Sequence, residues 1–93
     1  MDTTGFEAAL VKEGYRDIET KGLPGGYQAG DHSHAYDARA LVLAGEITLT
    51  WNGAARFFAT GDVFTMDDGC SHAEAVGPEG VHYLVGRRAR GSR

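Results

Sequence analysis

The chain has 93 residues, 42% of them apolar and 24% charged, one cysteine, and a formal net charge of −4. This length makes a single domain. No window approaches the ~18 consecutive apolar residues of a membrane-spanning helix, and the lone Cys70 excludes an internal disulfide or a cysteine-rich zinc knuckle. Arg87 to Arg93 hold four arginines, which leaves five basic against thirteen acidic side chains in the body and argues against a nucleic-acid-binding face there.

In chain order, Met1-Asp2-Thr3-Thr4 lacks the basic stretch and apolar core of a signal peptide, so the expected location is the cytoplasm. Thr3 or Thr4 is placed to cap a helix over about residues 4–13, with Phe6, Leu10 and Val11 on one face and Gly14 ending it. Tyr15 to Lys21 reads as a first strand. Arg39 to Leu43 reads as a strand that turns at Ala44-Gly45. Ile47, Leu49 and Trp51 then alternate with Glu46, Thr48 and Thr50, the pattern of a half-buried strand. Asn52-Gly53 supplies the two residues that tolerate positive φ in a type I′ hairpin turn. Arg56 to Thr60, Val63 to Met66, Ser71 to Val76 and Val81 to Gly86 follow as strands, the last two separated by Gly77-Pro78-Glu79-Gly80.

Glycine sets the rhythm: 14 residues in all, with Gly45, Gly53, Gly61, Gly69 and Gly77 at an even interval of eight. That spacing marks short strands with a turn after each, as in a β-sandwich or barrel. Trp51, Phe57, Phe58 and Phe64 are the expected core aromatics. The arginine run at the C-terminus is expected to be a solvated end.

Of the four histidines, His32 and His34 stand two apart. On an extended strand both imidazoles project from one face, where they can reach one metal ion. His72 lies two hairpins later, and with it the chain resembles the cupin superfamily. The first motif of that family is matched by His32-Ser33-His34, by Ala38 where glutamate is usual, and by Gly45. The second is matched by Gly61-Asp62, by Asp67-Asp68-Gly69 where proline begins the usual triplet, by His72, and by Val76 where asparagine is usual. The two motifs span residues 30–76. The stretches His32 to Leu43, His72-Ala73-Glu74 and Tyr83 to Arg88 look like those of small stand-alone bacterial cupins, most of them without an assigned activity.

The resemblance implies an all-β cupin barrel, a jelly-roll-like double-stranded β-helix with one short N-terminal helix. Its expected layout is a single domain over residues 1–93: the helix, a barrel over about 15–87, and a short basic tail at 88–93. It also implies a divalent metal (zinc, iron, manganese or nickel) on His32, His34 and His72. Ala38 removes the usual anionic ligand. Glu74 shares the face of His72 on a regular strand and is the preferred replacement, as a ligand or as a general base. Asp37 would need a bulge to turn inward; otherwise it pairs with Arg39 on the surface. Water is the third option.

Tyr36 is a candidate proton donor if it sits at the barrel mouth, Cys70 reads as a small turn residue, and the face of His82 is open. The expected activity is that of a metal-dependent dioxygenase, isomerase or lyase acting on a small molecule; the alternative is a non-catalytic ligand-binding or sensing module. So small a core also suggests a homodimer.

Overall fold

A computed structural model describes residues 1–89. One helix, α1 (Thr4–Lys12), precedes six strands: β1 (Arg16–Leu23), β2 (Gln28–His32), β3 (Asp37–Trp51), β4 (Ala54–Ala59), β5 (Val63–Met66) and β6 (His72–Arg88). All pairings are antiparallel. The sheet runs β1-β6-β3-β4, with β2 on β6 and β5 on β3. The two long strands are the frame: β3 pairs with β6 from Asp37↔Arg88 to Thr50↔Ala73. Each then takes a different short partner along each half of its length, and the sheet curls over its own inner face into a barrel.

Two sequence expectations change at this point. Ala44-Gly45 does not end a strand, and Gly77 to Gly80 does not separate two. Both stretches lie inside continuous strands. The β3–β6 ladder shifts register between Val42 and Ala44 and again between Gly45 and Ile47. These are bulges, which bend a strand without breaking it. Gly45 has a φ of 79°, and a Cβ there would run into the carbonyl oxygen of Gly80. The bend thus depends on two backbones meeting where neither has a side chain. The hairpin turn forms as expected: Asn52 (φ 53°) and Gly53 (φ 74°) close β3 onto β4, between the paired Trp51 and Ala54.

Period-2 alternation fills the barrel. Ala40, Val42, Ile47 and Leu49 of β3 meet Val76, Val81, Tyr83 and Val85 of β6 and Phe64 and Met66 of β5. Each large apolar side chain withdrawn from water contributes about 1.5–3 kcal/mol. Among the expected core aromatics only Phe64 is buried; Trp51 and Phe58 pack at the margin, and Phe57 is 59% exposed on the outer face of β4. The strand alternates, so the adjacent Phe57 and Phe58 cannot both face inward. The helix docks through Leu10 while Val11 points to solvent. Gly86 leaves room for it, since a Cβ there would press on Leu10, Tyr15 and Ile18.

The arginine run is not wholly a solvated end. Arg87 and Arg88 belong to β6, and both are held. The rest of the expected basic tail, residues 90–93, lies outside the described residues.

Replacing Gly45 with alanine is expected to destabilise the fold by at least ~2 kcal/mol, through positive φ together with the clash on Gly80. Gly53→Ala, which has the same φ problem but open space around it, should cost only about 1–2 kcal/mol. Urea denaturation midpoints of the two variants give the comparison; equal costs would show that the close approach of Gly45 to Gly80 adds nothing.

Candidate metal centre

His32 is the last residue of β2 and lies opposite His72, the first residue of β6. Glu74 follows two residues along β6, on the face of His72, as alternation requires. His34 is not on the regular strand that the sequence suggested. It lies beyond the end of β2, in the segment before β3, where its carbonyl accepts a hydrogen bond from the Gly69 N–H at 2.9 Å. That bond ties the His34 segment to the loop leading into His72. The ligand-capable atoms of His32, His34, His72 and Glu74 all lie within 4.8 Å of one another.

The hydrogen bonds fix the imidazole tautomers. His32 Nδ1 lies 2.7 Å from the Gly30 carbonyl, and His72 Nδ1 lies 3.0 Å from the Cys70 carbonyl. A carbonyl oxygen only accepts, so each Nδ1 carries the proton and donates. In the neutral ring the lone pair then sits on Nε2. Both Nε2 atoms face the same carboxylate oxygen, Glu74 Oε2, at 3.2 and 3.3 Å. Two lone pairs converging on an anionic oxygen repel it, and the arrangement is favourable only with positive charge between them, from protons or a cation.

His34 completes the donor set. Burial first, and then the charges of His32 and His72, hold its pKa below the usual histidine value, favouring the neutral form that ligates. Three imidazoles and one carboxylate suit a divalent transition-metal ion, and backbone carbonyls orient two of the rings from behind. The residues present therefore fit the metal that the resemblance implies.

The cluster opens on a cavity of about 200 Å³ inside the barrel. Ile47, Leu49, Phe64, Met66 and Val85 give it an apolar wall, and Ala38 faces it with a small side chain. Tyr36 also lines it, its ring stacked on His34 at 5.0 Å between centroids. Tyr27, Tyr83, Lys21 and Arg87 line it too, and sequence reasoning missed all four. For Tyr83 and Arg87 the signal was present: with Val85 they alternate on β6, so they share its inner face. Burial pushes the Tyr83 phenol up to about 12, with the Glu74 charge as a smaller contributor, so it stays protonated.

Asp37 is the correction. It lies apart from the cluster and is 1% exposed. Its carboxylate takes Arg88 at 3.0 Å and the Asp68 N–H at 2.8 Å. It is therefore neither a ligand nor the surface partner of Arg39, which bonds Thr65 instead. The physical reason is regular alternation: with Ala38 facing the cavity and no bulge at this point in β3, Asp37 projects to the other side. Arg88 also donates to the Glu13 carbonyl at 2.8 Å, which locks the end of α1 onto β6. His82 is exposed and packs over Gly22, far from ligation. Cys70 contributes its carbonyl to His72; its thiol is half-buried and free.

Asp37→Asn should therefore lower stability by ~3 kcal/mol while leaving the metal content of the folded protein unchanged. Glu74→Gln should do the reverse, weakening metal binding with little loss of stability. Denaturation and elemental analysis of both variants separate the two roles.

Residues 21–85 match the Cupin domain family. No curated protein matches the chain. Among solved structures, a protein of unknown function from Rhizobium leguminosarum superposes with a TM-score of 0.74 at 18% identity, over 78% of this chain and 69% of that one. A Cupin 2 conserved barrel domain protein from Salinispora arenicola gives 0.66 at 24% identity, over 78% and 62%. A DMSP lyase from Ruegeria pomeroyi gives 0.69 at 23% identity, over 82% of this chain but only 39% of the lyase. At these identities the likenesses speak for the fold alone. The family match covers most of the chain, and with the barrel and its inward histidines it supports one conclusion: the chain belongs to the cupin family.

Proposed function

We propose that this cupin binds one divalent metal ion through His32, His34, His72 and Glu74 and uses the centre on a small molecule held in the barrel cavity. The observation that carries the reading is the convergence of two imidazole lone pairs on the Glu74 carboxylate at the wall of that cavity. When bound, the ion supplies Lewis acidity, polarising a ligand oxygen or making bound water more acidic. The remaining chemistry belongs to the chain. Glu74 is the only carboxylate lining the cavity among the described residues; its Oε2 faces the two imidazoles, which leaves Oε1 as the base available to a ligand there. Tyr36, stacked on His34 with the Arg87 guanidinium 5.8 Å from its ring centre, offers a phenol proton from the cavity wall. The apolar wall excludes water from the ligand's body. A base and an acid facing one small cavity favour a proton-transfer reaction of the isomerase or lyase kind.

Purified protein grown with zinc, iron, manganese and nickel supplied is expected to carry about one metal ion per chain. His34→Ala should lower metal affinity by about tenfold or more. Protein without metal under those conditions would sink the reading. Metal and a tight ligand without turnover in a broad substrate screen would place the protein among non-catalytic binding modules instead.

A homodimer and a cytoplasmic setting are part of the same reading. Among the described residues β4 pairs with β3 alone, so its outer edge is open. Its outward side chains, Ala55, Phe57 and Ala59, are uncharged, and no lysine or proline guards the edge. Such an edge invites a second strand, and a second copy covering Phe57 supplies one. No helix among the described residues is long and apolar enough to cross a membrane, and a free thiol at Cys70 suits a reducing compartment. Size-exclusion chromatography with light scattering should give a mass near twice 9.9 kDa. Phe57→Lys should shift it toward the monomer, and a monomeric wild type would contradict the dimer.

A further inference from the structure

The cavity holds a cation that no neighbouring acid contacts. Lys21 and Arg87 both line it, while Glu74 is its only acid among the described residues. Arg87 is already answered: its guanidinium meets Glu19 at 2.9 Å and donates to the Asp17 carbonyl at 3.1 Å. Lys21 is not. It forms no ion pair and no side-chain hydrogen bond among the described residues, and it lies on the inner face of β1, opposite Tyr83 of β6. It lines the cavity while itself exposed to solvent. Its charge is also felt at His34, whose protonation it disfavours. Deeper in, the wall is hydrocarbon. On the β3 side, Ala38, which pairs with Arg87 in the ladder, leaves open space where a longer side chain would fill it.

We infer that the ligand of this cavity is a small monocarboxylate with an apolar body, its charged end held by Lys21 and its body against Ile47, Leu49, Phe64 and Met66. Size limits it further. The cavity of about 200 Å³ is roughly seven water volumes at ~30 Å³ each, below the usual range for drug-sized ligands. Arg87, fixed by Glu19, is a second cationic contact of set position. One carboxylate answers the one unpaired cation, and an uncharged ligand of the same shape would leave Lys21 unanswered. This assignment rests on the proposed function for the presence of a ligand site. It draws its charge preference from Lys21, which is not a member of the histidine cluster.

The test titrates butanoate and benzoate against butanamide and benzamide, by calorimetry, in both metal-free and zinc-loaded protein. Each carboxylate is expected to bind about tenfold or more tightly than its amide. Lys21→Met should bring the members of each pair within about threefold of one another, and Lys21→Arg should keep the preference. Equal affinity for acid and amide, or no binding of either below ~10 mM, overturns the inference. So does a carboxylate preference that survives in Lys21→Met and disappears when zinc is removed; the carboxylate would then be a ligand of the metal, and the metal reading would stand. A preference that depends on Lys21 in a protein that takes up no zinc would overturn the metal reading and leave this one intact.

Discussion

The structure depends on the pairing of β3 with β6. Together these strands hold 32 of the chain's residues, and every other strand pairs with one of them. Neither strand is flat. Bulges at Val42 to Ala44 and Gly45 to Ile47 bend the ladder, and the bend lets one strand serve both faces of a barrel. Function follows from that geometry. β6 begins with His72 and Glu74 and later delivers Tyr83, Val85 and Arg87; because it curls, both stretches line one cavity. In a straight strand, thirteen residues separating Glu74 from Arg87 would span over ~40 Å. The Asp37–Arg88 ion pair fastens the far end of the ladder and ties α1 to it. This stabilising pair sits just beyond the cavity, on the opposite face of β3 from Ala38.

The candidate centre works against the stability of this frame. Three imidazoles and a carboxylate are gathered where the barrel otherwise packs hydrocarbon, and desolvating them is unfavourable. Backbone carbonyls of Gly30 and Cys70 offset part of that cost by binding two Nδ1 protons. The Nε2 side is left to an incoming charge. A bound cation would therefore stabilise the folded state over the unfolded one, by mass action.

What the sequence made legible was local. The helix, the Asn52-Gly53 turn, β5 from Val63 to Met66, and the shared face of His72 and Glu74 all follow from residues within a few positions of one another. The reading failed where a feature depends on a distant partner. Gly45 reads as a turn because its encounter with Gly80 is invisible in one dimension. Arg88 reads as a loose end because Asp37 stands 51 positions away. His34 was placed on a strand by its spacing from His32, but the chain leaves the ladder after His32 and the Gly69 N–H fixes His34 instead. Even so, the set His32, His34 and His72 was found, since spacing relative to a family pattern carries long-range information that propensity lacks.

Ala38 gives the site its particular character. In the cupin pattern a glutamate is expected there; here the carboxylate comes from Glu74 on the other long strand. Were both positions acidic, two carboxylates would neutralise a divalent ion and the cavity would hold little attraction for an anion. With Glu74 alone, a divalent ion held by the three imidazoles as proposed would keep a net charge of +1, and Lys21 would add another. Ala38 also leaves free volume beside Arg87 on the ladder. On the proposed metal reading, the substitution that looks like a lost ligand in the sequence would leave the cavity's field positive and open space for an anionic partner.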